Sequence, residues 1–493
     1  MAEIKNTWGK RALAGFGALA LASAGLLGGS AAASAATEFG NIDFTKTGNI
    51  NIHKHKHQNG TDAVQNPDGS GTAIPSDPIE GVTFTARKIT SIDLSDSAAW
   101  NGLKGLTPEA DCALPGQTFG PEIAGVTNDK GLAVMSDLSV GAYLVCETAA
   151  PAEVVDRALP TIVTIPLPFE NGWLYDVHMY PKNGTSAIEK SIEEQKDLTL
   201  GSVVKFPVNT DIPTFGKDSE LANYIITDTL DSRLGTVGAS SITVDGVEVL
   251  EAYREIKVSG QKVTVEFSKA GLAWLKTQGG KKIVTTFQGT VESIGNGAIT
   301  NEATVFVNDP SNKNGLTSKP VTTNWGDVKI LKTDESKPAK GLKGAEFEVY
   351  AAADPYATTC EATPEGKALN IGGEKVFASG ADGTINIAGL FVSDSVNEPL
   401  NAATRCYVVK EIKAPAGFVT PAGDKALTAV SVTKGLTNGF DVTITNTQQE
   451  VPELPLTGAN GQMVMVIGGS ALLLIAGGVV MLNRRRSANE QQD

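Results

Sequence analysis

Aromatic side chains are scarce, at 6% of 493 residues, and histidine is scarcer, with four in all. Three of the four fall in one short run, so little is left for histidine-based catalysis elsewhere. A basic surplus is missing: 41 Lys and Arg face 55 Asp and Glu, for a net charge of −14. That removes the basic face a nucleic-acid partner requires. No Gly-x-Ser-x-Gly elbow, HExxH pair or phosphate loop occurs, so a hydrolase or a nucleotide enzyme has nothing to work with. No enzymatic role on a substrate, no cofactor and no metal is expected. Cysteine is limited to Cys112, Cys146, Cys360 and Cys406. Three pairings are open, and the two within each half, Cys112–Cys146 and Cys360–Cys406, are favoured because each closes inside one domain.

What is present is glycine, 53 residues of it, among recurring Val, Ile and Thr. This is the composition of a secreted all-β protein. The length exceeds one core and calls for two to four domains. Lys5, Lys10 and Arg11 precede an apolar stretch from Ala12 to Leu27 and small residues to Ala36, the pattern of a secretory signal peptide. Export permits disulfides.

Period-two alternation then marks many short strands between Gly-rich turns, which reads as tandem immunoglobulin-like β-sandwiches. Boundaries are placed at residues 1–36 for the signal, 37–183, 184–323 and 324–450 for three β units, and 451–493 for a tail. Gly48 to His57 reads as one strand. His53, His55 and His57 share its face, which would suit a metal, although an alternating polar edge strand is the simpler reading. Ser268 is placed as N-cap of a single short helix running to Lys276. Units one and three share a Gly-led strand with a late lysine (Lys54, Lys332), a Gly-x-x-Phe strand, and a Tyr-x-Val-x-Glu strand (Glu147, Glu411).

The tail reads Leu454-Pro-Leu-Thr457-Gly458, then an uncharged apolar run over 463–482, then Arg484 to Arg486. About 20 apolar residues suffice to cross a bilayer as a helix, and the basic flank stays cytoplasmic. The arrangement resembles the cell-wall sorting signal of Gram-positive surface proteins, which implies sortase cleavage between Thr457 and Gly458. Trp173 to Lys182 resembles the pilin motif of sortase-assembled pili, with Met179 at the second Val position. The resemblance makes Lys182 the amine that receives the Thr457 acyl group of another subunit. Tyr407 to Phe418 resembles the E-box of the same pilins, with Val409 and Phe418 as departures. In that family a glutamate there promotes an internal Lys–Asn isopeptide bond, which maps onto Lys332, Glu411 and Asn446. The middle unit resembles a CnaA-like pilin domain, in which Asp replaces the Glu. There Lys190 and Asn301 form the pair, Asp228 the acid, and Asn308 stands in if strand parity slips by one. Lys54 and Glu147 match in unit one, but Asn183 lies past Pro181 and no inward Asn is obvious. No bond is expected in unit one, with Cys112–Cys146 taking its place.

Together these motifs resemble the SpaA-type shaft pilins of the Actinomyces and Corynebacterium kind. That implies a cell-wall-anchored fimbrial subunit supporting adhesion. Its partners would be pilus-specific and housekeeping sortases, identical copies head to tail, a tip adhesin, peptidoglycan, and a host or bacterial surface receptor that the sequence does not identify. The alternatives are a singly anchored tip or base adhesin, and a wall-anchored hydrolase for which no constellation is found.

Overall fold

Alternation dictates the architecture. In Val203–Asp211 every second residue is buried, putting Val204, Phe206 and Val208 inside, because strand side chains point to opposite faces in turn. The computed structural model describes residues 41–58, 64–216, 219–308 and 315–448, and among these nearly every element is a strand. The signal peptide, the LPLTG motif with Thr457 and Gly458, and the apolar run at 463–482 lie outside the described residues.

Unit one carries a three-stranded sheet ordered Asp176–Met179, Thr47–His53, Leu132–Ser139, and a four-stranded sheet ordered Phe119–Val126, Thr83–Ile89, Gly141–Ala149, Thr161–Ile165. Ile50, Ile52, Phe84, Met135, Tyr143, Val145 and Val177 fill its core. The His-rich run is not one edge strand. Thr47–His53 is central, parallel to Asp176–Met179 and antiparallel to Leu132–Ser139, because its Ile50–Ile52 face is wholly apolar and needs cover. Pairing breaks at Lys54, whose N–H donates to the Gly131 carbonyl at 2.7 Å. A short sheet follows, ordered His55–Lys56, Lys182–Thr185, Val154–Asp156.

Unit two is a sandwich of two five-stranded sheets. One runs Ile188–Lys190, Val203–Asp211, Lys282–Val291, Leu234–Val244, Val247–Glu248. The other runs Arg254–Ser259, Lys262–Phe267, Tyr224–Thr229, Ala303–Val307, Leu316–Thr317. The helix Lys269–Lys276 is capped by Ser268, whose hydroxyl accepts from Gly271 N–H at 3.2 Å. A second helix, Ser97–Leu103 in unit one, is capped by Asp96 on Ala98 N–H at 2.8 Å. At seven residues it is too short to show a helical period.

Unit three is built on Val321–Thr333, which pairs with Ala298–Asn301, with Thr384–Asp394, and in parallel with Val442–Thr445. This strand joins two units. Trp325 on it packs into the unit-two core, while Val328 and Ile330 pack into that of unit three. Opposite it lie Glu346–Ala352, Thr404–Lys413 and Leu427–Thr433, with two short strands on the edge.

Both disulfides close within units: Cα–Cα is 6.0 Å for Cys112–Cys146 and 5.4 Å for Cys360–Cys406, inside the range a disulfide spans. The second encloses 46 residues. Replacing Cys360 and Cys406 by Ser is expected to cost unit three roughly 4 kcal/mol in the chain-entropy model. Denaturant titration of the ectodomain measures this, and an unchanged midpoint for unit three would contradict it.

Candidate cross-linking sites and the acceptor lysine

Each unit carries a lysine on an inward apolar face. Ile50 and Ile52 lead to Lys54, and Val328 and Ile330 lead to Lys332; all six are 0% exposed. In unit two, Lys190 shares the inward face with Ile192, and its side chain is fully buried. The acids arise in the same way. Tyr143 and Val145 lead to Glu147, Tyr224 and Ile226 to Asp228, Tyr407 and Val409 to Glu411. The same strand alternation that builds the core delivers a lysine and a carboxyl into it.

In unit three the Lys332 amine donates to Asn446 Oδ1 at 2.6 Å and lies 3.5 Å from Glu411 Oε2. Asn446 Nδ2 donates to Glu411 Oε1 at 2.8 Å. In unit two the Lys190 amine donates to Asp228 Oδ2, and Asn301 Nδ2 donates to the same oxygen at 3.2 Å. Phe206 and Phe287 wall this amine, with ring centroids at 5.1 and 5.7 Å. Asn308 is elsewhere: its φ is +55° and its Oδ1 accepts from Ala222 N–H at 2.8 Å.

Unit one departs from the expectation. Asn183 is 0% exposed and its Oδ1 accepts from the Lys54 amine. Its Nδ2 donates to Glu147 Oε1 at 2.7 Å, and Lys54 donates to Glu147 Oε2 at 2.9 Å. The signal was present in the sequence. Val177, Met179, Pro181 and Asn183 share one parity, and Val177 is buried. Pro181 costs the strand a donor but not its alternation.

The electrostatics follow from burial, which disfavours the charged form of any of these groups. Loss of water pushes the Lys54 amine down to about 8, against the pull of Glu147 and Asp156. It also lowers the Lys190 and Lys332 amines and raises the Asp228 carboxyl. Buried oxygens of these trios lack hydrogen-bond partners: Asp228 Oδ1, Asn301 Oδ1 and Glu411 Oε2. Such atoms cost roughly 1–3 kcal/mol each.

Lys182 precedes the inward Asn183, so alternation turns it the other way, and it is only half-buried. It sits opposite His55 in parallel register. The motif behind it is held by rings. Tyr180 stacks on His53 with centroids 4.8 Å apart, and His53 Nε2 meets His178 Nδ1 at 2.8 Å. Trp173 packs on Trp100 at 5.4 Å. His55 turns instead to the Ser76 carbonyl at 2.6 Å.

Fold and sites together define a multi-domain β protein with a buried Lys–acid–Asn trio in each unit and a lysine displayed beside one of them. Residues 45–184 match the family model of the Gram-positive pilin subunit D1 N-terminal domain, residues 326–448 that of a prealbumin-like fold domain, and residues 446–489 that of the LPXTG cell wall anchor motif. The chain is 40% identical to the type 2 fimbrial subunit of Actinomyces naeslundii over 93% of each chain. It is 29% identical to the type 1 fimbrial subunit of Actinomyces viscosus, over 93% of this chain and 94% of that one. The full-length major pilin SpaD of Corynebacterium diphtheriae superposes with a TM-score of 0.69 at 29% identity, covering 83% of this chain and 99% of that one. The chain belongs to the SpaA-type fimbrial shaft pilins of Gram-positive bacteria. It is a structural subunit of a sortase-assembled pilus, anchored to the cell wall.

Proposed function

We propose that this pilin is the repeating unit of a covalent fibre. The Thr457 acyl group of one copy is carried by a pilus-specific sortase to Lys182 of the next, and each of the three units closes an internal Lys–Asn isopeptide bond. A tip adhesin caps the fibre, and a housekeeping sortase passes the last subunit to peptidoglycan. The observation that carries this reading is the neighbouring pair Lys182 and Asn183. Asn183 turns in to meet Lys54, while Lys182, of opposite parity, stays half-buried.

The internal reaction is an amide exchange. A neutral lysine amine attacks the Asn side-chain carbonyl carbon and a new C–N bond forms. The carboxyl gives its proton to the departing nitrogen, the old C–N bond breaks, and ammonia leaves. The displaced lysine proton returns to the carboxylate, so nothing is oxidised or reduced. An apolar core favours the neutral amine and the protonated acid that this needs. Protonation would also make Asp228 Oδ1 a donor, and Asn301 Oδ1 is the unpaired acceptor in the same trio. Holding the groups in contact supplies a large effective molarity.

Asp228→Ala tests the middle unit. Against its own sequence mass, the reduced variant ectodomain is expected to fall short by about 34 Da instead of about 51 Da, one ammonia being retained, with the Lys190–Asn301 linked peptide lost and the other two retained. A linked Lys190–Asn301 peptide in that variant would rule out Asp228 as the acid.

A further inference from the structure

The strand Val154–Asp156 belongs to two cores at once. Val154, 3% exposed, packs in unit one, and Val155, 0% exposed, packs in the core of unit two. Asp156 pairs with Gly184 across the short sheet that carries Asn183. Gly184 is clamped between the units: a Cβ there would lie 3.0 Å from the Asp156 Cβ and 3.2 Å from the Thr214 carbonyl oxygen of unit two. Ser186 ties the joint from both sides, its N–H donating to Glu153 O at 2.9 Å and its hydroxyl to Asp211 O at 2.8 Å.

From the first-strand side, by contrast, unit one grips this segment lightly. It offers two parallel pairs, Lys182 with His55 and Asn183 with Lys56, and bonds from His55 N–H to Pro181 O at 3.3 Å and from His57 N–H to Asn183 O at 2.7 Å. A strand so short is marginal by itself. We propose that unit two completes the cross-linking site of unit one. Docking of unit two onto Val155 and Gly184 fixes the strand that presents Asn183 to Lys54, so the Lys54–Asn183 bond closes only after that joint has formed.

The inference rests on the Lys54–Asn183 bond proposed above and adds its dependence on a neighbouring domain. Val155, Gly184 and Ser186 act through Asn183 and are positioning residues. Asp156 brings a second carboxyl toward the site, facing Lys54 and Glu147 on one side and Ser219 and Lys276 of unit two on the other. Misplacing the amide by about 1 Å is expected to slow closure roughly a hundredfold. The Lys332 trio belongs to unit three and shares no residue with this joint, while Lys190 follows Ser186 by four residues, so its linked peptide reports that unit two is folded.

The test uses the whole ectodomain and maps linked peptides by tandem mass spectrometry in wild type, Gly184→Val, Val155→Asp and Val155→Ile. Protease resistance of residues 41–180 and the Cys112–Cys146 disulfide report that unit one is folded. The expected result is loss of the Lys54–Asn183 peptide in Gly184→Val and Val155→Asp and its return in Val155→Ile. The Lys190–Asn301 and Lys332–Asn446 peptides persist in all four. Full linkage of Lys54 to Asn183 in Gly184→Val with unit one folded overturns the coupling. A wild-type chain that lacks this peptide but carries the other two overturns the unit-one bond itself, and is told apart because the deficit is already one ammonia short.

Discussion

Lys182→Ala abolishes the ladder of high-mass polymer in cell-wall extracts and leaves an exported, folded monomer. The expected effect is all-or-none, since a methyl group cannot take an acyl group. The variant is structurally mild because Lys182 is half-buried on a strand whose inward neighbour, Asn183, remains. Lys182→Arg should fail equally, since a guanidinium stays protonated and is no acyl acceptor at physiological pH. That separates nucleophilicity from charge. Gel analysis of wall extracts measures it, and a normal ladder from Lys182→Ala would remove Lys182 from the acceptor role. The same gel excludes a singly anchored adhesin, which gives one band in wild type.

Glu411→Ala has the largest expected effect on the subunit itself. Without the carboxyl the Asn446 amide loses its proton donor, so Lys332 and Asn446 stay unlinked and the mass deficit relative to the variant's own sequence shrinks by about 17 Da. The bond spans 114 residues, a loop length at which cross-linking is worth roughly 4.7 kcal/mol. For a domain of this size that corresponds to a fall in melting temperature on the order of 15–20 °C. Lys332→Met, which fills the site without a charge, should lose the same stability. Agreement between the two assigns the loss to the covalent bond. The mechanical effect is larger still. In the proposed fibre tension runs from Lys182 to Thr457, and a Lys332–Asn446 bond would take the chain between those residues out of its path. In Glu411→Ala that length is freed, giving an extension on the order of 400 Å when unit three unfolds. Single-molecule pulling reads it, and equal extension in wild type and variant would contradict the shielding.

The inward series were legible because alternate residues of a strand share a face. Ile50-x-Ile52-x-Lys54, Tyr224-x-Ile226-x-Asp228 and Tyr407-x-Val409-x-Glu411 each declare a buried polar group by parity alone. Pro181 hides Asn183 from a local reading, because it interrupts the hydrogen bonding while the register on either side stays the same, Ile52 with Met179 and His55 with Lys182. The His-rich strand reads locally as an edge because its cover comes from Asp176–Met179, more than a hundred residues away. What local pattern does not carry is the traffic between units. Val155 looks like one more apolar residue of unit one and is buried in unit two. Trp325 lies on the strand Val321–Thr333 of unit three and packs beside Phe391 in the unit-two cluster. Period and propensity identify a buried residue without saying whose core it enters.

Subunit mass tests the internal chemistry most directly. After reduction of both disulfides, the intact wild-type ectodomain should weigh about 51 Da less than its sequence, three ammonias lost, one from each unit. A mass equal to that of the sequence would contradict the account.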